Sequence, residues 1–276
     1  MKDNILVTGG CGFIGSSFLD ILFNSKKFNV INIDKLTYAS NKNYSLIKKK
    51  NYIFIKGDIK NYKLINNTLR KFRPKYIINF AAESHVDRSI DNPIYFIKNN
   101  INSATNLFHA YYKYYKLKKI KLFHISTDEV YGSIKKGEFK EHDKYNPSSP
   151  YSASKSGSDL IATAFNKTFG CKIKILCLTN NFGPYQFPEK YIPTLISSFL
   201  KNQKAPIYGK GKNIREWIHV SDSCRAIYKT ILSNKKFDKI NIGSNKRSSN
   251  LEIVGLIFKI MKNKNLTNLN KNNYIE

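Results

Sequence analysis

Short apolar runs alternate with longer segments of helical periodicity over the first two thirds of the chain, and this alternation limits the possible folds more than any other feature. The runs are mostly continuous in apolarity, which is typical of parallel strands buried on both faces. The predicted strands are 4–8, 29–33, 52–56, 76–80, 121–126 and 172–178. The predicted helices are 13–24, 62–71, 93–115, 151–169 and 251–261. Repeated βα units predict an α/β fold with a doubly wound parallel Rossmann sheet.

The regular alternation stops after Leu178, and from there prolines separate shorter segments. These prolines are Pro184, Pro188, Pro193 and Pro206. We therefore predict a first domain over 1–178 and a smaller C-terminal lobe over 179–276 that is partly interleaved with the first.

A glycine-rich loop at 9–15 follows the first predicted strand and leads into a helix. Glycines in this context allow a tight turn and a close approach of the backbone to a pyrophosphate, which then lies at the helix N-terminus. Asp34 comes 19 residues after Gly15, at the end of the second strand, where its carboxylate can accept ribose hydroxyls and would repel a 2′-phosphate. Asp58 follows the third strand and is predicted to meet the adenine. The pattern predicts an NAD site; a glycine turn that serves only helix–strand packing is the alternative.

Tyr151 and Lys155 lie four residues apart on a predicted helix, so their side chains share one face. A nearby ammonium, together with the positive charge of oxidised nicotinamide, is expected to lower the pKa of the phenol and make Tyr151 a general base. Such a spacing also arises by chance in a Lys-rich chain. Its position after the fifth strand, in a chain with an NAD fingerprint, favours catalysis.

Thr127, Asp128 and Glu129 directly follow the fifth predicted strand. Active sites of open α/β sheets lie at the carboxyl ends of the strands, so two adjacent acids are predicted to act there. The alternative is a pair of solvated loop acids, which fits an acid-poor chain less well.

The net charge of the chain is strongly positive, because 47 Lys+Arg stand against 19 Asp+Glu and give +28. A basic chain often binds nucleic acid, but only six of these residues are Arg, which makes the bidentate contacts to bases and phosphates. Lys, Asn, Ile, Tyr and Phe are abundant and share AT-rich codons, so a compositional origin is favoured. We predict no specific nucleic-acid partner; charge-driven binding stays an alternative.

The remaining composition bears on location. The apolar runs are too short to span a bilayer, and the N-terminal residues lead directly into a strand without a signal-peptide core. The four cysteines have neither CxxC nor metal spacing, which is typical of reduced core residues. A cytoplasmic protein with no membrane partner and no metal is predicted.

Eight motifs together resemble the extended short-chain dehydrogenase/reductase family, and within it the nucleotide-sugar 4,6-dehydratases that act on dTDP-glucose. They are TGGCGFIG at 8–15, DKLTY at 34–38, AAESHVDRS at 81–89, STDEVYG at 126–132, SPYSASK at 149–155, NNFGP at 180–184, FPEK at 187–190 and PIYGKG at 206–211. The resemblance covers residues 4 to about 261. The Thr-Asp-Glu triplet is the most discriminating motif, because related epimerases and decarboxylases typically lack it.

The resemblance implies an NAD-dependent oxidation at C4 of the sugar, loss of water across C5 and C6, and reduction at C6. Tyr151 would take the C4-hydroxyl proton, and Lys155 would orient the nicotinamide ribose and tune Tyr151. Glu129 would remove the C5 proton, Asp128 would protonate the departing C6 hydroxyl, and Thr127 would bind the C4 oxygen.

The resemblance also implies the binding residues. The residues expected around NAD are Gly9, Gly12, Phe13, Ile14, Gly15, Asp34, Lys35, Leu36, Thr37, Asp58, Ile59, Phe80, Ala81, Ala82, Ser84, Asn99, Tyr151, Lys155 and Asn181. The residues expected around the nucleotide-diphosphate sugar are Ser84, Thr127, Asn180, Lys190, Tyr191, Pro206, Ile207, Tyr208, Arg215 and Asn250. For Arg215 the alternative is a surface ion pair with Glu216. A homodimer through the helices 93–115 and 151–169 is expected by resemblance.

The chain departs from the family pattern in two places. Family members usually carry Thr where this chain has Asn99, and they extend some tens of residues beyond position 276. We therefore expect a C-terminally incomplete substrate lobe, with NAD binding retained and substrate affinity and water exclusion weakened. Two functional alternatives stay open: a related nucleotide-sugar dehydratase or epimerase, and an NAD-binding chain without turnover.

Overall fold

A computed structural model describes residues 2–118, 120–134, 137–207, 210–270 and 274–275. The strands β1 to β10 are Asp3–Thr8, Phe28–Asp34, Tyr52–Lys56, Tyr76–Asn79, Lys121–Thr127, Ile173–Leu178, Asn180–Phe182, Ile214–His219, Lys239–Ile242 and Arg247–Ser249. The helices α1 to α9 are Phe13–Ser25, Asn43–Leu46, Tyr62–Phe72, Val86–Asp91, Pro93–Tyr115, Pro150–Phe169, Tyr191–Leu200, Val220–Leu232 and Asn250–Asn263. A short 3₁₀ turn covers Asp128–Tyr131.

Seven parallel strands form the main sheet, in the order β3-β2-β1-β4-β5-β6-β9. This confirms the predicted doubly wound Rossmann fold, and the six predicted strands are found within one or two residues of their observed bounds. The seventh strand, β9, was not predicted, because Lys239 and Asn241 interrupt its apolar residues. It joins the sheet by pairing with β6.

The chain divides into two compact units. The first consists of 1–178 and 221–242 and holds the seven-stranded sheet. The second consists of 179–220 and 243–276 and holds a three-stranded sheet in the order β10-β8-β7. The core of the second unit forms where α7 and α9 pack, with Leu195, Phe199, Val254 and Phe258 buried between them. Within the described ranges, no helix is both long enough and apolar enough to cross a membrane.

The two long helices of the first unit begin at strong local signals. Asn92 caps α5 by accepting a hydrogen bond from the Tyr95 amide, and Pro93 occupies the first helical position. Ser149 caps α6 in a reciprocal arrangement with Ser152, which the sequence motif SPYS encodes. These caps fix where α6 starts, and therefore where its first turn presents side chains.

The carboxyl ends of the central strands lie at one edge of the sheet, because the strands are parallel and paired in register. Thr8 at the end of β1 is opposite both Ile33 of β2 and Asn79 of β4, and Asn79 is opposite His124 of β5. The strand order reverses between β1 and β4, which is the switch point where ligands bind in folds of this kind.

Candidate active site

The turn between β1 and α1 and the first turn of α1 each contain a position that requires glycine. Gly9 has a φ of +72°, and a Cβ on it would lie 2.6 Å from the backbone nitrogen of Ala81. A Cβ on Gly15 would lie 2.2 Å from the carbonyl oxygen of Gly9. Helix α1 then starts at Phe13, with Gly12 at the N-cap position, no side-chain cap and no acidic residue in its first turn. Its first amide groups are therefore suited to an anion such as a pyrophosphate.

Asp34 lies at the end of β2 and is buried. The amide of Cys11 donates to its Oδ2 at 2.8 Å, and the amide of Leu36 donates to its Oδ1 at 2.8 Å. Burial raises the pKa of Asp34, and these hydrogen bonds oppose that rise. Oδ1 also accepts a long hydrogen bond from the Ser40 hydroxyl at 3.4 Å, whereas Oδ2 keeps a second acceptor position that suits a ribose hydroxyl.

A cleft opens beside this loop and is lined by most of the residues predicted to bind the cofactor. These are Gly9, Gly12, Asp34, Lys35, Thr37, Asp58, Ile59, Phe80, Ala81, Ala82 and Asn99. The other cofactor residues predicted in the first unit lie outside this lining: Phe13, Ile14, Gly15, Leu36, Ser84, Tyr151 and Lys155.

Glu83 is a residue of this region to which the sequence reasoning gave no role. Its Oε1 lies 2.9 Å from Lys35 Nζ and accepts a hydrogen bond from the Tyr95 hydroxyl at 3.1 Å. Lys35 Nζ also lies 3.3 Å from Asn99 Oδ1, so Asn99 is tied to the lining through the lysine. Glu83 falls inside the AAESH motif, which was the available signal.

Thr127, Asp128 and Glu129 stand where β5 ends and the 3₁₀ turn begins. The Thr127 hydroxyl accepts a hydrogen bond from the Glu129 amide at 3.3 Å and lies 3.3 Å from Asp128 Oδ1. Thr127 therefore shapes the turn that presents both carboxylates.

Tyr151 is buried in the first turn of α6 and lies within the electrostatic reach of this triplet. Burial raises the pKa of Tyr151, and the carboxylates of Glu129 and Asp128 raise it further, whereas a hydrogen bond with Thr127 lowers it. The predicted direction was a lowering by Lys155 and oxidised nicotinamide. In the chain alone the shift is the opposite, because burial and the charges of Glu129 and Asp128 dominate the surroundings of the phenol.

Lys155 is buried one turn after Tyr151, and its surroundings contain residues that the sequence reasoning missed. Its Nζ donates to the carbonyl oxygen of Ile125 at 2.6 Å and lies 3.4 Å from His124 Nε2. Burial lowers the pKa of Lys155, while the carboxylate of Asp159 raises it. Asp159 follows Lys155 by four residues on α6, so its helical spacing was the available signal.

The predicted substrate residues of the second unit occupy several of its elements. Asn180 lies on β7, Lys190 precedes α7, and Tyr191 begins that helix. Asn181, which was predicted to bind the cofactor, also lies on β7. The Tyr191 hydroxyl donates to the carbonyl oxygen of Asn250 at 3.0 Å. This bond links the start of α7 to the start of α9.

Four further substrate residues were predicted in the same unit. Arg215 lies on β8 and is exposed, and its guanidinium donates to the Ile214 carbonyl oxygen at 3.0 Å. Glu216 pairs instead with Arg247, at 3.9 Å, so the proposed alternative partner of Arg215 is engaged elsewhere. Ile207 packs against the apolar cluster of the second unit, next to Pro206. Tyr208 lies outside the described residues.

Comparisons with known proteins agree with this geometry. The family model of GDP-mannose 4,6 dehydratase matches residues 6–275. A probable dTDP-glucose 4,6-dehydratase of Sinorhizobium fredii is 41% identical over 264 residues, which cover 92% of this chain and 75% of that protein.

Two solved structures are similar over nearly the whole chain. The dTDP-glucose 4,6-dehydratase of Bacillus anthracis, in complex with NAD, has a TM-score of 0.88 and 39% identity, and covers 99% of this chain and 84% of that one. DesIV, the dTDP-glucose 4,6-dehydratase of Streptomyces venezuelae, with NAD and TYD bound, has a TM-score of 0.88 and 38% identity. The match covers 94% of this chain and 81% of DesIV. The chain therefore belongs to the family of NAD-dependent nucleotide-sugar 4,6-dehydratases.

Proposed function

We propose that the chain catalyses the NAD-dependent dehydration of dTDP-glucose to dTDP-4-keto-6-deoxyglucose. The observation that carries this proposal is the position of Asp128 and Glu129, adjacent in one turn and close enough to Tyr151 to shift its pKa. Oxidation at C4 alone requires one base, whereas removal of water across C5 and C6 requires an acid and a second base.

The cofactor site of the first unit fits NAD in three respects. The uncapped start of α1 suits the pyrophosphate, Asp34 Oδ2 retains acceptor capacity for a ribose hydroxyl, and Asp58 lines the cleft, where we assign it to the adenine. The carboxylate of Asp34 would repel a 2′-phosphate, so NAD is favoured over NADP. When bound, NAD accepts a hydride from C4 of the sugar and returns it to C6.

The residues of the chain supply the proton transfers. Tyr151 takes the proton of the C4 hydroxyl, and Thr127 hydrogen-bonds the same oxygen. Once C4 is a ketone the C5 proton is acidic, and Glu129 removes it while Asp128 protonates the departing C6 hydroxyl. Because the two neighbouring carboxyls must differ in protonation for this step, Asp128 carries a proton in the substrate-loaded site and acts as the acid, while Glu129 stays a carboxylate. Lys155 holds the nicotinamide ribose.

The test is to incubate the NAD-loaded protein with dTDP-glucose and to follow loss of one water from the sugar nucleotide by mass spectrometry. Glu129→Gln should still oxidise C4, so absorbance of reduced cofactor should appear while product formation falls by about 10²–10⁴-fold. Tyr151→Phe should abolish both signals. Asp91→Asn, an exposed acid of α4, is the matched control and should leave turnover unchanged.

Two outcomes would contradict the proposal. Conversion of the sugar to its C4 epimer without loss of water would identify an epimerase. Retention of NAD without turnover of dTDP-glucose, UDP-glucose or GDP-mannose would identify an inactive NAD-binding chain. Turnover of one of the other two nucleotide sugars alone would reassign the substrate within the same reaction type.

Further assignments belong to the same proposal. Asn180, Lys190, Tyr191 and Arg215 bind the nucleotide sugar. The product serves dTDP-rhamnose synthesis in the cytoplasm, where the four free, buried cysteines stay reduced.

We also propose a homodimer through α5 and α6, supported by exposed apolar side chains on these helices: Ile94, Ile97, Leu160 and Phe169. A monomeric mass at micromolar concentration would contradict the dimer.

A further inference from the structure

A carboxylate, an ammonium and an imidazole are buried together behind Tyr151. Asp159 and His124 are each 1% exposed and Lys155 is 4% exposed. Asp159 and His124 take no part in the proton transfers proposed above. Burying charged groups is costly unless they are paired and hydrogen-bonded, so this cluster requires a reason.

Asp159 has the hydrogen bonds of an ionised carboxylate. Its Oδ2 accepts from the Ser126 hydroxyl at 2.6 Å and from the Tyr145 hydroxyl at 3.0 Å. Its Oδ1 makes no hydrogen bond within the described part of the chain and lies 3.5 Å from His124 Nε2. Two hydroxyl donors on one oxygen stabilise the charged form.

His124 lies between the two charges. Its Nε2 is 3.4 Å from Lys155 Nζ and 3.5 Å from Asp159 Oδ1. Its Nδ1 is 2.9 Å from the Asn79 side-chain amide, whose oxygen accepts from the Thr8 hydroxyl at 2.6 Å. Burial and Lys155 lower the pKa of His124, so the ring stays neutral and fills the space between the charges without adding one.

We infer that Asp159, acting across His124, holds Lys155 in place as a cation behind Tyr151. Asp159 is then a positioning residue for the catalytic pair, and this inference rests on the proposed function of Tyr151 and Lys155. The opposite charge that allows an ammonium in this interior is supplied four residues further along the same helix.

The surrounding charges fix the direction of the expected effects. Burial lowers the pKa of Lys155, and Asp159 and then Cys177 oppose this. Burial raises the pKa of Asp159, whereas Lys155, Ser126, Tyr145 and Lys239 lower it, and the resulting pKa is about 6. Asp159 also adds to the raised pKa of Tyr151.

Removing the charge of Asp159 should therefore lower the pKa of both members of the pair. In a buried site, a single neighbouring charge shifts a pKa by about one unit or more. A purely structural role of Asp159 would reduce stability without moving either pKa.

The test compares Asp159→Asn with the wild type and with Ser158→Ala. Ser158 is a buried polar residue of α6 whose hydroxyl bonds to the carbonyl oxygens of Asn100 and Ser154, so it controls for loss of a buried polar group. The first readout needs no turnover: NAD affinity by calorimetry between pH 6 and 10. The alkaline midpoint at which affinity falls should move down by about one pH unit in Asp159→Asn. It should stay in place in Ser158→Ala and vanish in Lys155→Met.

The second readout is the pH profile of dTDP-glucose turnover. In Asp159→Asn, both the acidic and the alkaline limb of the profile should move to lower pH. The reason is that loss of the Asp159 charge lowers the pKa of Tyr151 and of Lys155. A folded Asp159→Asn protein whose NAD midpoint and limbs coincide with those of the wild type would overturn the inference. Should the wild type bind NAD but fail to turn over dTDP-glucose, the proposed function fails, and the NAD midpoint alone still decides the role of Asp159.

Removal of one partner of a buried ion pair is strongly destabilising, so a second variant covers the case in which Asp159→Asn does not fold. The double variant Lys155→Met with Asp159→Leu then provides the decision, because it removes both charges together. Recovery of a cooperative unfolding transition in the double variant supports the pairing of the two residues. A double variant as unfolded as the single one would overturn it.

Discussion

Replacing Gly15 by alanine should damage the cofactor loop, although Gly15 lies in a helix. By helix propensity alone, Ala in place of Gly within α1 would stabilise the protein by about 1 kcal/mol. The added Cβ, however, would lie 2.2 Å from the Gly9 carbonyl oxygen and 2.8 Å from the Gly10 Cα. Both are backbone atoms of the turn that precedes the helix, so no side chain can rotate away.

The size of the effect follows from these distances. Ordinary contact begins at 3.4 Å, so the Gly9 carbonyl must move by about 1.2 Å. Overpacking of this kind costs about 1–3 kcal/mol, which equals or exceeds the propensity gain of about 1 kcal/mol. We expect a net loss of up to about 2 kcal/mol in the free energy of unfolding. The displaced loop should also weaken NAD binding by about tenfold, which corresponds to about 1.4 kcal/mol.

The assay is urea unfolding combined with calorimetric titration of NAD. Gly170→Ala is the matched control, because Gly170 has a φ of +65° at the end of α6 and a Cβ there would meet nothing within 4 Å. It should lose about 1 kcal/mol to the left-handed conformation and keep the wild-type NAD affinity. A Gly15→Ala protein that is more stable than the wild type, with unchanged NAD affinity, would refute the reasoning.

Two further predictions concern buried polar groups of the first unit. Asn32→Ala removes the side-chain oxygen that accepts a hydrogen bond from the Gly10 amide at 3.1 Å. The free energy of unfolding, measured by urea titration, should fall by about 1–3 kcal/mol, and NAD affinity should fall as well. Unchanged NAD affinity would contradict a role of Asn32 in supporting the loop. Because the pKa of His124 is lowered in the folded protein, below about pH 6.5 the unfolded chain binds a proton at this residue that the folded chain does not. As the pH falls further, this difference should reduce the free energy of unfolding by up to about 1.4 kcal/mol per pH unit. His124→Asn should remove this part of the pH dependence of the free energy of unfolding, whereas His142→Asn, at an exposed site, should not. If the free energy of unfolding depended on pH with the same slope in both variants, His124 would not be a neutral buried ring.

The strands could be predicted where a segment is buried in the sheet and its sequence is therefore continuously apolar. The residues Ile5, Leu6 and Val7 are fully buried on both faces of the sheet, and a continuous apolar run is what such a position requires. Strand β9 has no such run, and its place in the sheet depends on pairing with β6, which lies more than fifty residues earlier. The three-residue strands β7 and β10 of the second unit also could not be predicted, because three residues are too few to show a periodicity.

The site could be predicted to the extent that strand ends determine it. Asp34 and Thr127 end parallel strands of one sheet, so their arrival at one edge follows from the alternation of strands and helices. The pKa of Tyr151 could not be obtained in this way. Helical spacing places Lys155 near the phenol, but the sign of the shift depends on how deeply the ring is buried and how close Glu129 and Asp128 come to it.

The positions of Asp159 and His124 could not be predicted from the sequence either, because neither residue belongs to a pattern that spacing alone can interpret. An acid four residues after a lysine on a helix is normally a solvent-exposed pair that contributes about 0.3–0.5 kcal/mol. Here the pair is buried, and the imidazole that lies between its two charges comes from a strand more than thirty residues earlier. Burial makes such a pair matter more than a surface pair, because an unpaired ammonium in that interior would lose its proton. The candidate site residues can therefore be found from their motif, whereas the neighbours that shift their pKa can be identified only from the packing.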